Sequence, residues 1–265
     1  MKELKFNLNY VMHKRELYFA FIAAMIISLV HIFLIIQGSD YIEFANTSEY
    51  LILPTNSIED FSPILVLAFP VIGALIFSDS SWLDRSRKSE LMFYTRLNPK
   101  KNIICRAFLS FAVTFVLFFI VLTINYLVLY LIFGSGIRYP LDQSYPFNIS
   151  GISQVFLDEL RTVRPILYAL IGIGHVSILL GMLSLLSYCI SFFVRQRLVI
   201  YFQVLLIMFV YEQIVSFVGF QKISIIYQLQ LMSHFSPADV FVLYGILSVL
   251  SGILIAVIIK KEEIL

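Results

Sequence analysis

Residues 61–133 read FSPILVLAFPVIGALIFS, then DSSWLDRSRKSELMFYTRLNPKKNIICR, then AFLSFAVTFVLFFIVLTINYLVLYLIF: two apolar runs around one basic segment. At about 1.5 Å of rise per residue, each outer run is long enough to cross a hydrocarbon layer roughly 30 Å thick, with tilt and curvature accommodating the longer one. The middle segment cannot cross. It carries Arg85, Arg87, Lys88, Arg96, Lys100, Lys101 and Arg106 against Asp79, Asp84 and Glu90, and the positive-inside rule places such a loop in the cytoplasm. A membrane hairpin that holds a structured segment in the cytosol is a docking point for a cytosolic partner.

The rest of the composition agrees with a membrane chain. With 60% hydrophobic residues over 265 positions, there is too little polar surface to cover a water-soluble globule. The net charge of +2 gives no nucleic-acid surface, because the basic residues stand in short clusters beside apolar runs and not along one face. The two cysteines, Cys105 and Cys189, read as reduced packing residues, with no CxxC pair or HExxH helix to make a zinc site.

Read outward from the hairpin, the pattern is all-α, an integral membrane protein with six transmembrane helices at about 17–37, 61–78, 107–133, 165–194, 198–218 and 240–259. Residues 1–16 form an interfacial helix or a basic tail. Leu4, Leu8 and Val11 are at helical spacing, and Lys2, Lys5, Lys14 and Arg15 are available to phosphate headgroups. Residues 38–60 hold five acids and no Lys or Arg, as suits the outer side. Pro63, Pro70 and Gly73 in the second span either bend it toward a pathway or only shape its packing. In the loop 79–104, Ser81 to Asp84 fits a capping box that opens a helix ending at Asn98-Pro99. Its Leu91, Phe93, Tyr94 and Leu97 form an aromatic and aliphatic patch suited to protein contact or to the headgroup zone. Residues 219–239 are too apolar for an exposed loop and too short for another crossing. An outer re-entrant helix pair fits, since irregular backbone at membrane depth needs shelter from protein or a cavity. This topology places both termini in the cytoplasm, with fifteen of the nineteen Lys and Arg residues on that side.

Chemistry is sparse along the chain. No G-x-x-x-x-G-K-[ST] loop is present, so ATP hydrolysis, if any, belongs to another subunit; the four histidines are scattered, and no span presents two acids for proteolysis. Three polar residues inside spans matter because buried ionisable groups are costly in lipid. Glu212 lines a cargo path, pairs with Arg164 or Lys222, or reaches the outer headgroups. His175 either faces Glu212 or is a packed neutral residue, and Asn125 reads as interhelical glue.

This layout resembles the permease subunits of type-2 ABC exporters. The resemblance is carried by the amphipathic N-terminal segment, the six spans, the basic loop WLDRSRKSELMFYTRLNPKKNIICR and the apolar stretch ISIIYQLQLMSHFSP before the last span. It implies that the loop is a coupling helix seated on a cytosolic ABC ATPase, with contact roles for Leu91, Phe93, Tyr94 and Arg96. It also implies a second permease copy, as homodimer or sister chain, with Phe69, Phe77, Tyr211 and Glu212 beside the pathway and His175 near it. The cargo it implies is an amphipathic peptide, such as a phenol-soluble modulin or a lantibiotic, exported across a bacterial plasma membrane. ATP and Mg are then cofactors of the partner, with none in this chain. One feature departs from the family pattern: the loop 134–164 between spans three and four is long. Two alternatives from other classes are a non-pumping immunity or assembly factor and a membrane-embedded enzyme.

Overall fold

A computed structural model of the chain describes residues 2–37, 62–80, 82–83, 99–133, 160, 164–194, 196–229 and 236–262. The described residues form eight α-helices and no strand: α1 Lys2–Met12, α2 Arg15–Gln37, α3 Ser62–Phe77, α4 Pro99–Phe133, α5 Pro165–Ser191, α6 Arg197–Val218, α7 Ile225–Leu229 and α8 Pro237–Glu262. Five of them, α2, α4, α5, α6 and α8, are long and apolar enough to cross a membrane, and α3 is a shorter apolar helix of 16 residues. Helix α4, the third expected span, starts at Pro99 and not near residue 107, so it absorbs Lys100, Lys101 and Arg106 into its first three turns.

The helix ends follow local chemistry. Pro165 opens α5, where a missing N–H costs nothing and the fixed φ is already helical. Gly219 closes α6 at φ 80°, and the Phe220 N–H bonds back to the Val215 carbonyl at 3.1 Å, a left-handed cap that suits a residue lacking Cβ. A 3-10 turn, Gln221–Ile223, follows directly. Ahead of α8, Ser236 and Asp239 form a reciprocal cap: the Asp239 carboxylate accepts from the Ser236 N–H and Oγ at 2.8 Å each, and Pro237 occupies the first turn.

Helix α5 is the hub, with 61% of its most apolar window buried against 22–44% for the other long helices. It packs on α3, α4, α6, α7 and α8. Two of its contacts depend on small residues. A Cβ on Gly181 would sit 2.9–3.1 Å from the ring and carbonyl of Phe111, and one on Gly73 of α3 would sit 3.1 Å from the Thr114 methyl. These glycines let α5 and α3 approach α4 closely, as small residues do where no hydrophobic driving force separates helix from lipid. Serines secure the same contacts. Ser184 Oγ donates to the Gly73 carbonyl at 3.1 Å and lies 3.0 Å from both Ser110 Oγ and Thr114 Oγ1. Asn125 Nδ2 donates to the Ser28 carbonyl at 3.2 Å, joining α4 to α2 as interhelical glue.

The helices alternate in direction, so the bundle has two ends. One end gathers the starts of α2, α4 and α6 with the finish of α3, α5 and α8. Lys14, Arg15, Lys100, Lys101, Arg106, Arg197, Lys260 and Lys261 all fall there. Lys261 Nζ closes that end over the Phe193 ring, 5.5 Å from its centroid.

Candidate functional site

At the basic end, the turn after α3 carries Asp79 into a fully buried position, although no apolar pattern marks it as interior. A buried carboxylate requires counter-charge and donors, and several elements supply them. Lys14, from the junction of α1 and α2, pairs with Asp79 Oδ1 and also donates to the Ile76 carbonyl at 3.0 Å. Arg197, at the start of α6, donates through Nη2 to Asp79 Oδ2 at 2.9 Å, and the same nitrogen reaches Glu16 Oε1 at 2.9 Å. Tyr201, one turn along α6, donates its hydroxyl to Asp79 Oδ2 at 2.9 Å while accepting from Arg197 Nε at 2.9 Å. The guanidinium also lies over Trp82, 5.6 Å from the ring centroid. Both carboxylate oxygens are thereby used, and the α1–α2 junction, the end of α3 and the start of α6 are fastened at one point.

Two polar joints extend this lock. Asn7 on α1 donates to Asn102 Oδ1 at 2.7 Å and accepts from Arg106 Nε at 3.0 Å, which docks α1 on α4. Next to Asp79, Ser78 donates to Ser187 Oγ at 2.9 Å, and Gln203 Nε2 donates to that same oxygen at 3.0 Å, joining α3, α5 and α6.

The opposite end is organised around α7. Glu212 Oε1 accepts from the Ile226 N–H at 3.0 Å, and Ser224 Oγ accepts from the Tyr227 N–H at 3.0 Å, so the first donors of α7 are satisfied from two sides. Tyr211 donates its hydroxyl to the Ile223 carbonyl at 2.9 Å. His175 Nε2 lies 3.1 Å from the Gln228 carbonyl and must donate to it, so Nδ1 accepts from the Tyr244 hydroxyl at 2.7 Å. One carboxylate and one neutral imidazole therefore hold the two ends of a single short helix.

Several expectations change on this geometry. Lys14 is not available to headgroups, because its side chain is 5% exposed and paired with Asp79. Val11 is buried in the bundle while Leu4 and Leu8 are exposed, so α1 docks on protein with one face and leaves only its flank outward. Arg106 and Arg197 likewise act as helix fasteners. Phe69 and Phe77 are buried, with ring centroids 5.3 Å from Phe118 and 5.9 Å from Tyr188 respectively, so within one chain they pack the core. His175 and Glu212 do not pair with each other; each binds α7. Leu91, Phe93, Tyr94 and Arg96 lie outside the described residues, as do Ser81 and Asp84, the two capping residues of the expected box.

The Asp79 lock itself escaped sequence reasoning. Its partners are 65 and 118 residues away from it, and the only local signal is an acid placed at the last turn of an apolar run. No protein-family model, curated protein or solved structure matches the chain.

Proposed function

We propose that the chain is the permease subunit of an ATP-driven exporter of the type-2 ABC class, dimeric and served by a separate cytosolic ATPase, moving an amphipathic peptide outward. In this reading α3 is the second of six spans and joins the five longer helices. Its 16 residues rise about 24 Å, and neighbouring helices and local thinning of the bilayer cover the remainder. The basic end faces the cytoplasm together with both termini, the membrane is a bacterial plasma membrane, and α7 with its flanking turns is the outer re-entrant element.

The observation that carries this reading is the position of Asp79. It is the first residue of the basic segment 79–104, and it is fastened to Lys14, Arg197 and Tyr201. A cytosolic engine that displaced this segment would therefore pull on the α1–α2 junction, α3 and α6 together, because a buried ion pair resists separation by several kcal/mol. Rocking of helices as bodies is what alternating access demands.

The test is co-purification of the chain from its native membrane with a nucleotide-hydrolysing subunit, followed by ATP turnover in vesicles. Leu91→Asp and Tyr94→Asp are expected to release the ATPase while leaving the bundle folded. An intact chain that retains no ATPase, or retention undiminished by both changes, refutes the assigned role.

A further inference from the structure

Beside the Asp79 lock, between α1, the first turn of α2 and the first turn of α6, lies a cleft of about 630 Å³. Its volume falls within the range of sites that enclose a small molecule or a lipid headgroup, roughly 300–1,000 Å³, and far exceeds what a bare ion needs. Phe6 and Tyr10 form one wall, and His13, Arg15, Glu16 and Arg197 stand around the rest.

The charges here do not cancel. Lys14, Arg15 and Arg197 face Glu16 and Asp79, which leaves one net positive charge. Lys14 is consumed by Asp79. Arg197 uses Nε on Tyr201 and Nη2 on Glu16 and Asp79, so Nη1 keeps its donors. Arg15 is exposed and makes no ion pair among the described residues. His13 Nδ1 donates to the Asn9 carbonyl at 2.9 Å, leaving Nε2 for a further contact. Spare guanidinium donors beside an aromatic wall match a phosphate that carries an apolar stem.

The position selects the source. Arg15 and Arg197 begin two of the helices long and apolar enough to span a membrane, so the cleft opens where hydrocarbon gives way to headgroups. Leu4, Leu8 and Met12 are exposed along the flank of α1, which carries apolar surface to the same level.

We propose that this cleft binds the phosphate headgroup of an anionic membrane lipid, with Arg15 and Arg197 as its cationic contacts and Phe6 and Tyr10 against the glycerol and the first methylenes. The inference does not depend on an ATPase partner. Headgroup binding would tie the Arg197–Glu16 arm of the lock to the anionic lipid content of the membrane.

The test is native mass spectrometry of the purified full chain with phosphatidylglycerol, phosphatidylcholine and soluble glycerol phosphate as probes. Phosphatidylglycerol is expected to be retained selectively. Arg15→Gln, at an exposed position where folding is not at stake, is expected to weaken that retention about fivefold, while Lys260→Gln at another helix end leaves it unchanged. Equal retention of phosphatidylcholine, or equal effects of the two substitutions, overturns the site, since diffuse surface charge then explains the binding. Glycerol phosphate binding as tightly as the lipid overturns the lipid assignment and makes the ligand a soluble phosphate ester. Phe6→Ser is a second check: it is expected to weaken lipid binding and leave any glycerol phosphate binding unaffected.

Discussion

Replacing Asp79 by Asn removes one charge at nearly constant side-chain volume and turns one of its two accepting oxygens into an NH2 donor. The Asp79 side chain is 0% exposed and that of Lys14 is 5% exposed, so the ammonium left behind keeps the Ile76 carbonyl but loses its counter-charge where it has little contact with water. Breaking a buried pair by neutralising one member costs about 3–5 kcal/mol, and nearly all of it falls on Lys14. Arg197 contributes little to the loss. Its side chain is 39% exposed and keeps Glu16, and ion pairs of that exposure are worth about 0–1 kcal/mol. The expected total is therefore about 3–5 kcal/mol, and raising the ionic strength should not reduce it, because buried charges are poorly screened. The assay is reversible unfolding of the purified chain in mixed micelles with a denaturing detergent, followed by circular dichroism. Glu16→Gln serves as a surface control with a loss below about 1 kcal/mol. The double change Lys14→Met with Asp79→Leu should recover most of the loss, since well-packed apolar residues replace buried ion pairs at little or no cost. A loss below about 1 kcal/mol for Asp79→Asn, or a double variant no better than the sum of its parts, would refute the claim that this pair is dry and coupled.

Two further outcomes are expected of the purified chain. Gly181→Ala should destabilise by about 1–3 kcal/mol, because its Cβ would meet Phe111 at 2.9–3.1 Å, whereas Gly174→Ala on the same helix meets nothing within 4 Å and should be neutral or stabilising; unfolding of the two side by side decides this, and equal behaviour would exclude close approach of α5 to α4 at Gly181. Glu212→Gln keeps an acceptor for the Ile226 N–H and should preserve α7, while Glu212→Ala removes it at a cost of about 0.5–2 kcal/mol, read as faster proteolysis within 219–239; unchanged transport and stability in the Gln variant would also remove Glu212 from any gating role.

Much of the architecture was legible because lipid simplifies the code. An apolar run of the right length can satisfy its backbone only as a helix, so α2, α4, α5, α6 and α8 were readable from composition and length. Pro165 marked the start of α5, as the sequence had it, whereas α8 opens at Pro237 and not near residue 240, because the Ser236–Asp239 cap satisfies its first donors. The start of α4 was misplaced because Lys100, Lys101 and Arg106 look like loop residues, yet a helix that emerges from the apolar layer carries charge in its outermost turns.

What the sequence could not supply was pairing between distant residues. By itself it determined that the chain is a helical protein of membrane-crossing character, with most of its cations expected at one end, since hydropathy and charge are properties of each residue. Only the tertiary structure decided that Lys14 and Arg197 meet Asp79, that Asn7 bridges to Asn102 and Arg106, and that His175 and Glu212 hold α7 from opposite ends. A lysine near a membrane end looks the same in sequence whether it reaches a headgroup or a buried carboxylate. The difference lies in which helix packs beside it, and that is fixed by the shape of the whole bundle.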